Sequence, residues 1–365
     1  MRLGLVINPI AGMGGAIGLK GSDGLRSDVA LAKGGRFVAE DRAQAALSNV
    51  EGISGNELIT ASGSMGEDLL RRLELVHKVV HHAKQPSTSY DTTAAVTRFL
   101  EEMVDLVIFC GGDGTAADVL AASPGKTVCL GIPAGVKMHS AVFANTPREA
   151  GALISRFIVG GMDVKEAEVM DIDEEAFRHG VLKAEIIGHL VIPDDSSLLQ
   201  PPKGTIATSS DGEEKEELGE EFARTMKNDV LYVIGPGTTC AALAKAIGLD
   251  KTLLGVDLVK DGSLIDRDVD ERVLLRMIEV EDKVEIIVTP IGRQGFIFGR
   301  GNQQISAEVL RRITPKNVIV YATPSKLRSL DHLRVDTGDA SVDALFKGHI
   351  KVRTGFSRQR VIRVE

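Results

Sequence analysis

An aspartate set among glycines, Gly111-Gly112-Asp113-Gly114-Thr115, stands between the apolar run Asp105 to Cys110 and the helix-like stretch Ala116 to Ala122. Bare glycine backbone lets ligand oxygens approach closely, and a helix start offers free N–H groups. Between them one carboxylate can orient or deprotonate an alcohol, or organise a metal ion. These are the parts that phosphoryl transfer uses. A tight turn with Asp113 as an Asx or capping residue would employ the same residues, so the spacing alone leaves both readings open.

Other segments add chemistry of the same kind. Asn8 and Pro9 end the apolar run Leu3 to Ile7 and lead into Gly12, Gly14 and Gly15, a first-strand loop suited to nucleotide contact; Asn-Pro is also a common strand terminator. Lys20 and Asp23 follow in a glycine-flanked loop, read as solvated or as reaching a phosphate. Gly135 and Lys137 lie in a turn after the run Thr127 to Ile132, where Lys137 would neutralise phosphate charge, with His139 and Ser140 nearby. Gly235-Pro236-Gly237-Thr238-Thr239 follows Asp229 to Ile234 and echoes the first turn, Thr239 standing in the register of Thr115. Arg300 and Asn302 sit in the glycine-interleaved segment Gly292 to Gln304, a source of guanidinium and amide donors or a plain hairpin. Asp257 ends a further apolar run, as a ligand-facing acid or a surface turn acid.

The elements that must position these groups follow from periodicity. Short apolar runs at 3–7, 57–60, 75–80 and 127–132 alternate with helical patterns at 40–49, 67–73 and 91–103, the last capped by Asp91 or a neighbouring Ser or Thr. That alternation predicts an α/β fold with a doubly wound N-terminal nucleotide-binding lobe over 1–150. A second β-rich and α/β lobe is expected over 151–365: β-rich at 160–206, an acidic linker or surface helix at 207–228, and α/β again at 229–365. The later runs are 230–234, 253–258, 284–289 and 318–321, with helices at 241–247, 269–278 and 306–313 and a two-strand finish around Gly355. The active cleft is expected between the lobes.

Composition bounds the partners. The 365 residues are 43% hydrophobic but only 4% aromatic, without Trp, so the cores rest on Val, Ile, Leu and Ala. Lys and Arg total 43 against 51 acidic residues, a formal charge of −8, which argues against a nucleic-acid or anionic-membrane surface. Cys110, Cys129 and Cys240 are far apart and read as small buried hydrophobes in a reducing compartment. Met1 to Pro9 breaks too early for a secretory signal, and no apolar run is long enough to span a bilayer, so a cytoplasmic location is expected.

The GGDGT turn after an apolar strand, with Asn8-Pro9 and its glycine-rich loop, resembles the superfamily of NAD kinases, diacylglycerol and sphingosine kinases, and phosphofructokinases. Asn8 to Gly15, Gly18 to Gly24, Gly131 to Ser140 and Gly292 to Gln304 are similar to one branch of the ATP-NAD kinase family, that of the acetoin-catabolism protein X. The resemblance implies a kinase that uses ATP or polyphosphate with Mg²⁺, and NAD as acceptor through its 2′-hydroxyl. It carries the acceptor-activating role onto Asp113, with Gly111, Gly112, Gly114 and Thr115 as the phosphate loop. Lys137 and Arg300 would be charge stabilisers, Gly237, Thr238 and Thr239 a second ligand loop, and a homo-oligomer is expected by the same resemblance. Three departures stand out, the first being that the family's usual all-β second lobe is replaced, after residue 229, by a pattern that reads α/β. The family's Asn-Glu pair for the nicotinamide nucleotide is replaced by Asn145-Thr146, and its second Gly-Ser-Thr-Ala-Tyr-like loop lacks the Tyr. A kinase for another hydroxyl and a non-catalytic nucleotide-binding regulator are the alternatives.

Overall fold

A computed structural model describes residues 1–18, 31–32, 34–123, 125, 127–135, 138–172, 184–195, 197–200, 209–292 and 294–365. The described residues within 1–13, 31–32 and 36–200 form one compact unit, and those within 14–18, 34–35 and 209–365 another. Each unit is an α/β layer structure built on its own seven-stranded sheet.

The first sheet takes β1 (Arg2–Ile7), β2 (Glu57–Ala61), β3 (His77–His81), β4 (Leu106–Gly111), β5 (Val128–Pro133), β6 (Val164–Ile172) and β7 (Ala184–Pro193) in the order β3-β2-β1-β4-β5-β7-β6. All neighbours run parallel except the β6–β7 hairpin. A parallel sheet is covered on both faces, so its central strands read as unbroken apolar runs; Leu106 to Gly111 is buried at every position. Helices α1 (Ala39–Leu47), α2 (Glu67–Arg72), α3 (Ser89–Glu101), α4 (Asp113–Ala122) and α5 (Pro147–Val159) connect these strands. Thr88 and Asp91 form a capping box that starts α3, and Thr146 caps α5 by accepting from the Glu149 N–H, with Pro147 preset for the first turn.

The β-rich stretch grouped from sequence with the second lobe belongs to the first sheet. Val191 pairs with Val128, which adds β7 and its hairpin partner beyond β5. Hydrophobic alternation announces strands but says nothing of which sheet they join.

The second sheet takes β8 (Leu231–Ile234), β9 (Asp257–Lys260), β10 (Ser263–Asp266), β11 (Val284–Val288), β13 (Val318–Tyr321), β15 (Gly348–Gly355) and β16 (Arg358–Val364), in the order β10-β9-β8-β11-β13-β15-β16. β12 (Phe296–Phe298) and β14 (Arg334–Val335) form a separate two-stranded ribbon. Alternate residues feed opposite faces. Leu231, Val233, Ile286 and Val320 join one core, while Tyr232, Ile234, Ile287 and Tyr321 join another. The second core receives α6 (Ser209–Thr225) through Leu218 and Phe222, and α7 (Thr238–Ala246) through Cys240 and Leu243.

Of the two readings, linker or surface helix, the acidic stretch is the helix, and it is docked on the second sheet. On α6, Glu214 accepts from Ser325 N (3.0 Å) and Oγ (2.6 Å), Glu217 from Phe356 N (3.0 Å), and Glu221 faces Arg353 at 3.7 Å. Its carboxylates grip turns of the sheet edge while Leu218 and Phe222 fill the core, which is why a polar composition still packs. Among the described residues, no helix is long and apolar enough to cross a membrane. The three cysteines are buried free thiols; burial pushes Cys110 and Cys129 up to about 12 and Cys240 up to about 11, so they act as inert core residues.

Candidate active site

In the first sheet the chain leaves β1 toward β2 and β3 on one side, then returns through α3 to β4 on the other. The carboxyl ends of β1 and β4 therefore diverge at a topological switch point, where open α/β sheets hold their ligands. Asn8 continues β1 and donates its N–H to Cys110 O at 2.9 Å. Its side-chain amide donates to Thr115 Oγ1 at 3.0 Å, tying the first-strand turn to the start of α4. Thr115 is buried, so its hydroxyl serves this tie rather than an open ligand face. Pro9 follows, partly exposed, and lacks the N–H that would extend the strand.

Asp113 is the first residue of α4, and no side chain caps this helix start. The aspartate is partly exposed. Its Oδ2 accepts from His139 N at 2.7 Å and its Oδ1 from Ser140 N at 2.9 Å. Ser140 is in turn buried, and its Oγ accepts from Met170 N at 3.0 Å, so β6 holds the backbone that aims the carboxylate. Two backbone N–H donors and the positive end of α4 therefore surround the carboxylate.

The glycines have different tasks. Gly114 is exposed and presents bare helix-start backbone to solvent. Gly111 makes room for its own turn, since a Cβ there would lie 2.2 Å from Thr115 Oγ1. Gly112 and Gly135 pack backbone against backbone, a Cβ on Gly135 falling 2.9 Å from Gly112 Cα. Gly12, at φ +76°, would place a Cβ 2.1 Å from Ala134 O. These contacts draw the loops after β1, β4 and β5 together around Asp113. Lys137 lies outside the described residues.

Gly14 and Gly15 do not group with Asn8, Pro9 and Gly12. They belong to the second unit, where Ala16 O accepts from Glu271 N at 3.0 Å. Gly237, Thr238 and Thr239 open α7 at the carboxyl end of β8, with Gly237 at φ +110° and Thr239 buried. Thr238 lines a groove of about 630 Å³ with Lys245 and Asp250.

Arg300 is engaged inside the second unit: Nη2 lies 3.6 Å from Asp336 Oδ2 and the guanidinium stacks over Phe296 at 5.0 Å. Asn302 is buried and donates to Ile297 O at 2.8 Å, a loop-closing role. Asp257 is fully buried and accepts from Thr252 N (2.7 Å), Thr252 Oγ1 (2.5 Å) and Asp268 N (2.9 Å), which makes it a loop lock. Asn145 is buried, its amide donating to Ser197 O at 3.2 Å.

A residue that sequence reasoning passed over is Thr289, one residue past β11, which is buried with its Oγ1 unpartnered. A signal existed: Val288-Thr289-Pro290 and Ala322-Thr323-Pro324 repeat the proline stop that ends β1 at Asn8-Pro9 and β8 at Gly235-Pro236. Among the described residues, no group of three His, Cys, Asp or Glu side chains is placed to hold a metal ion.

Residues 3–162 match the family model for the ATP-NAD kinase N-terminal domain, and residues 227–364 match that for the ATP-NAD kinase C-terminal domain. No curated protein matches the chain. A crystal structure of a "putative diacylglycerol kinase" from Bacillus anthracis str. Sterne aligns with 73% of this chain and 62% of its own length, at 16% identity and a TM-score of 0.25. The chain thus spans less than two thirds of that protein.

Proposed function

The chain belongs to the ATP-NAD kinase family, and from that premise we propose that it transfers a phosphoryl group from ATP or polyphosphate to a nucleotide hydroxyl, the 2′-hydroxyl of NAD giving NADP. The observation that carries the reading is the Asp113 carboxylate, held by two backbone N–H groups at the switch point between β1 and β4.

Asp113 accepts a hydrogen bond from the acceptor alcohol and directs its oxygen at the terminal phosphorus. The new O–P bond forms as the bond to the leaving phosphate breaks, and the alcohol proton passes to the carboxylate and on to solvent. The exposed backbone at Gly114 and the start of α4 receive phosphoryl oxygens. Gly111, Gly112, Gly135 and Gly12 act by letting the loops close around them, and Asn8 and Thr115 act as positioning residues. Mg²⁺ fits this site as a passenger of the polyphosphate, since the described residues offer Asp113 but no cage of ligands. Bound there, it would screen charge on the phosphates. The substrates are small soluble nucleotides, met in the cytoplasm.

A second reading is favoured by Asn145. Its amide holds Ser197 O and its neighbour Thr146 caps α5, so the pair has structural work where family relatives hold a nicotinamide nucleotide. That points to an acceptor alcohol other than NAD at the same Asp113 site. Purified protein with ATP, Mg²⁺ and NAD should yield NADP in a product-resolved assay. Phosphorylation of another alcohol in place of NAD would select the second reading, and tight nucleotide binding with no phosphorylated product from any acceptor would defeat both.

A further inference from the structure

The second sheet ends on a strand whose outer edge is open. In the order β10-β9-β8-β11-β13-β15-β16, β16 is terminal, and no described strand of the sheet lies beyond it. Only its last residues are covered: Leu333 N donates to Arg363 O at 2.8 Å, and Glu365 N donates to Leu333 O at 3.0 Å. In an antiparallel strand the N–H and C=O of one residue point the same way, and the direction alternates along the chain. Arg363 faces outward, so Val361 and Gln359 face outward too. Their backbone groups continue the ladder that Leu333 begins.

Charge distinguishes this edge. Between Asp343 and Glu365 the chain carries Lys347, Lys351, Arg353, Arg358, Arg360 and Arg363 and no acid, although the whole sequence has a formal charge of −8. Arg353 faces Glu221, Arg358 holds Glu217, and Arg363 meets Glu365. Lys351 and Arg360 are exposed and form no ion pair with any described residue. Arg360 pairs with Val352, on the face of the core that holds Val320, whereas Lys351 pairs with Val361 on the opposite face. The two uncommitted cations therefore flank the open edge on both faces.

Charges on an edge strand commonly block pairing, with help from bulges and prolines. Here the pairs from Gly348 with Val364 to Arg353 with Gln359 keep one register without a bulge, and no proline interrupts β16. Val361, at its middle, is 63% exposed. Such an edge resists a basic strand and accepts an acidic one. A second copy of β16 would set the same cations against its own. A nucleic acid would find no bare stacking platform, since Phe356 lies under the Arg224 guanidinium at 5.0 Å.

We propose that the outer edge of β16 is a docking site for an extended, acidic segment of another polypeptide, which adds to the second sheet as a further strand. Gln359 and Val361 supply the backbone ladder, and Lys351 and Arg360 meet carboxylates from opposite faces. The segment recognised carries acids at adjacent positions, because neighbours in a strand point to opposite faces. The site uses none of the residues around Asp113, so it stands whether or not the kinase reading holds.

The test is fluorescence anisotropy of the full-length protein with a labelled dodecapeptide of Asp-Glu pairs separated by Val and Thr, at physiological salt. Its Lys-Arg counterpart and oligodeoxythymidine are titrated in parallel. The acidic peptide should bind, and hydrogen exchange over Arg358 to Ile362 should slow on binding. Val361→Pro removes one outward N–H and no internal ladder bond, so it should weaken binding by about tenfold while melting like the wild type. Should the proline variant melt early, Lys351→Glu with Arg360→Glu is the second probe, with a loss at least as large. The proposal fails if the acidic peptide does not bind, or if it binds without slowing exchange at β16. It fails equally if both variants bind like the wild type, or if oligodeoxythymidine binds more tightly. A dimer in sedimentation that Val361→Pro dissociates would hand the edge to a second copy and overturn it.

Discussion

The turns after β4 and β8 are two versions of one device. Each follows a buried strand, each opens a helix without a side-chain cap, and Thr115 and Thr239 are buried in the same register. What differs is the residue at the helix mouth. The first turn carries Asp113, an acid aimed by two loop N–H groups; the second carries Gly237, which brings no charge. An acid at a phosphate-binding turn repels the very group the turn attracts, unless it faces the alcohol that must be activated. The contrast teaches that one backbone device can be built with or without an acid at its mouth.

If the two turns are alike in backbone but unlike in packing, alanine at equivalent glycines should separate them most. In Gly111→Ala the new Cβ meets Thr115 Oγ1 at 2.2 Å, whereas in Gly235→Ala the nearest atom is Ile287 O at 3.1 Å. We expect Gly111→Ala to lose about 3 kcal/mol in denaturant unfolding and Gly235→Ala about 1 kcal/mol or less. Equal losses would show that the first turn is no tighter than the second.

Lys326→Met tests the second unit. The folded state holds this ammonium below its ordinary value, so unfolding takes up protons between pH 8 and 10.5 and stability rises with pH across that window. Below pH 8 the cost is present in full. Removing the charge should therefore stabilise the protein by roughly 2 kcal/mol at pH 7, and the gain should shrink toward zero as pH passes 10. A variant less stable than wild type at pH 7 would mean that Lys326 has a compensating partner.

The smallest effect is expected from Thr115→Val. It removes the acceptor of the Asn8 amide but keeps shape, and Asn8 is partly exposed, so a loss of about 1 kcal/mol should appear in thermal melts. A larger loss would place more of the first turn's rigidity in that one bond.

Much of this architecture was legible in the sequence, for reasons that are local. Leu106 to Gly111 could only be a strand buried on both faces, and Val318 to Tyr321 was bounded as observed. Ser306 and the acidic Asp91 marked helix starts through hydrogen bonds made within one turn. What escaped depends on residues distant in sequence. The allegiance of β6 and β7 rests on Val128 meeting Val191. Arg300 reads as a ligand donor until Asp336 and Phe296 enclose it, and Asp257 reads as a cleft acid until Thr252 and Asp268 close on it. The docking of α6 depends on basic and hydroxyl partners from the far end of the chain. At the first site, Asp113 was legible because glycines on either side mark it, but its two loop donors were not.

The central claim is that the acid-bearing turn performs the chemistry. Steady-state phosphorylation by Asp113→Asn, with folding verified by its melting curve, tests it most directly. Loss of the carboxylate should lower kcat by on the order of 10²–10⁴-fold while KM for ATP changes by no more than a few-fold. A variant that turns over at the wild-type kcat would remove Asp113 from the reaction and contradict the account.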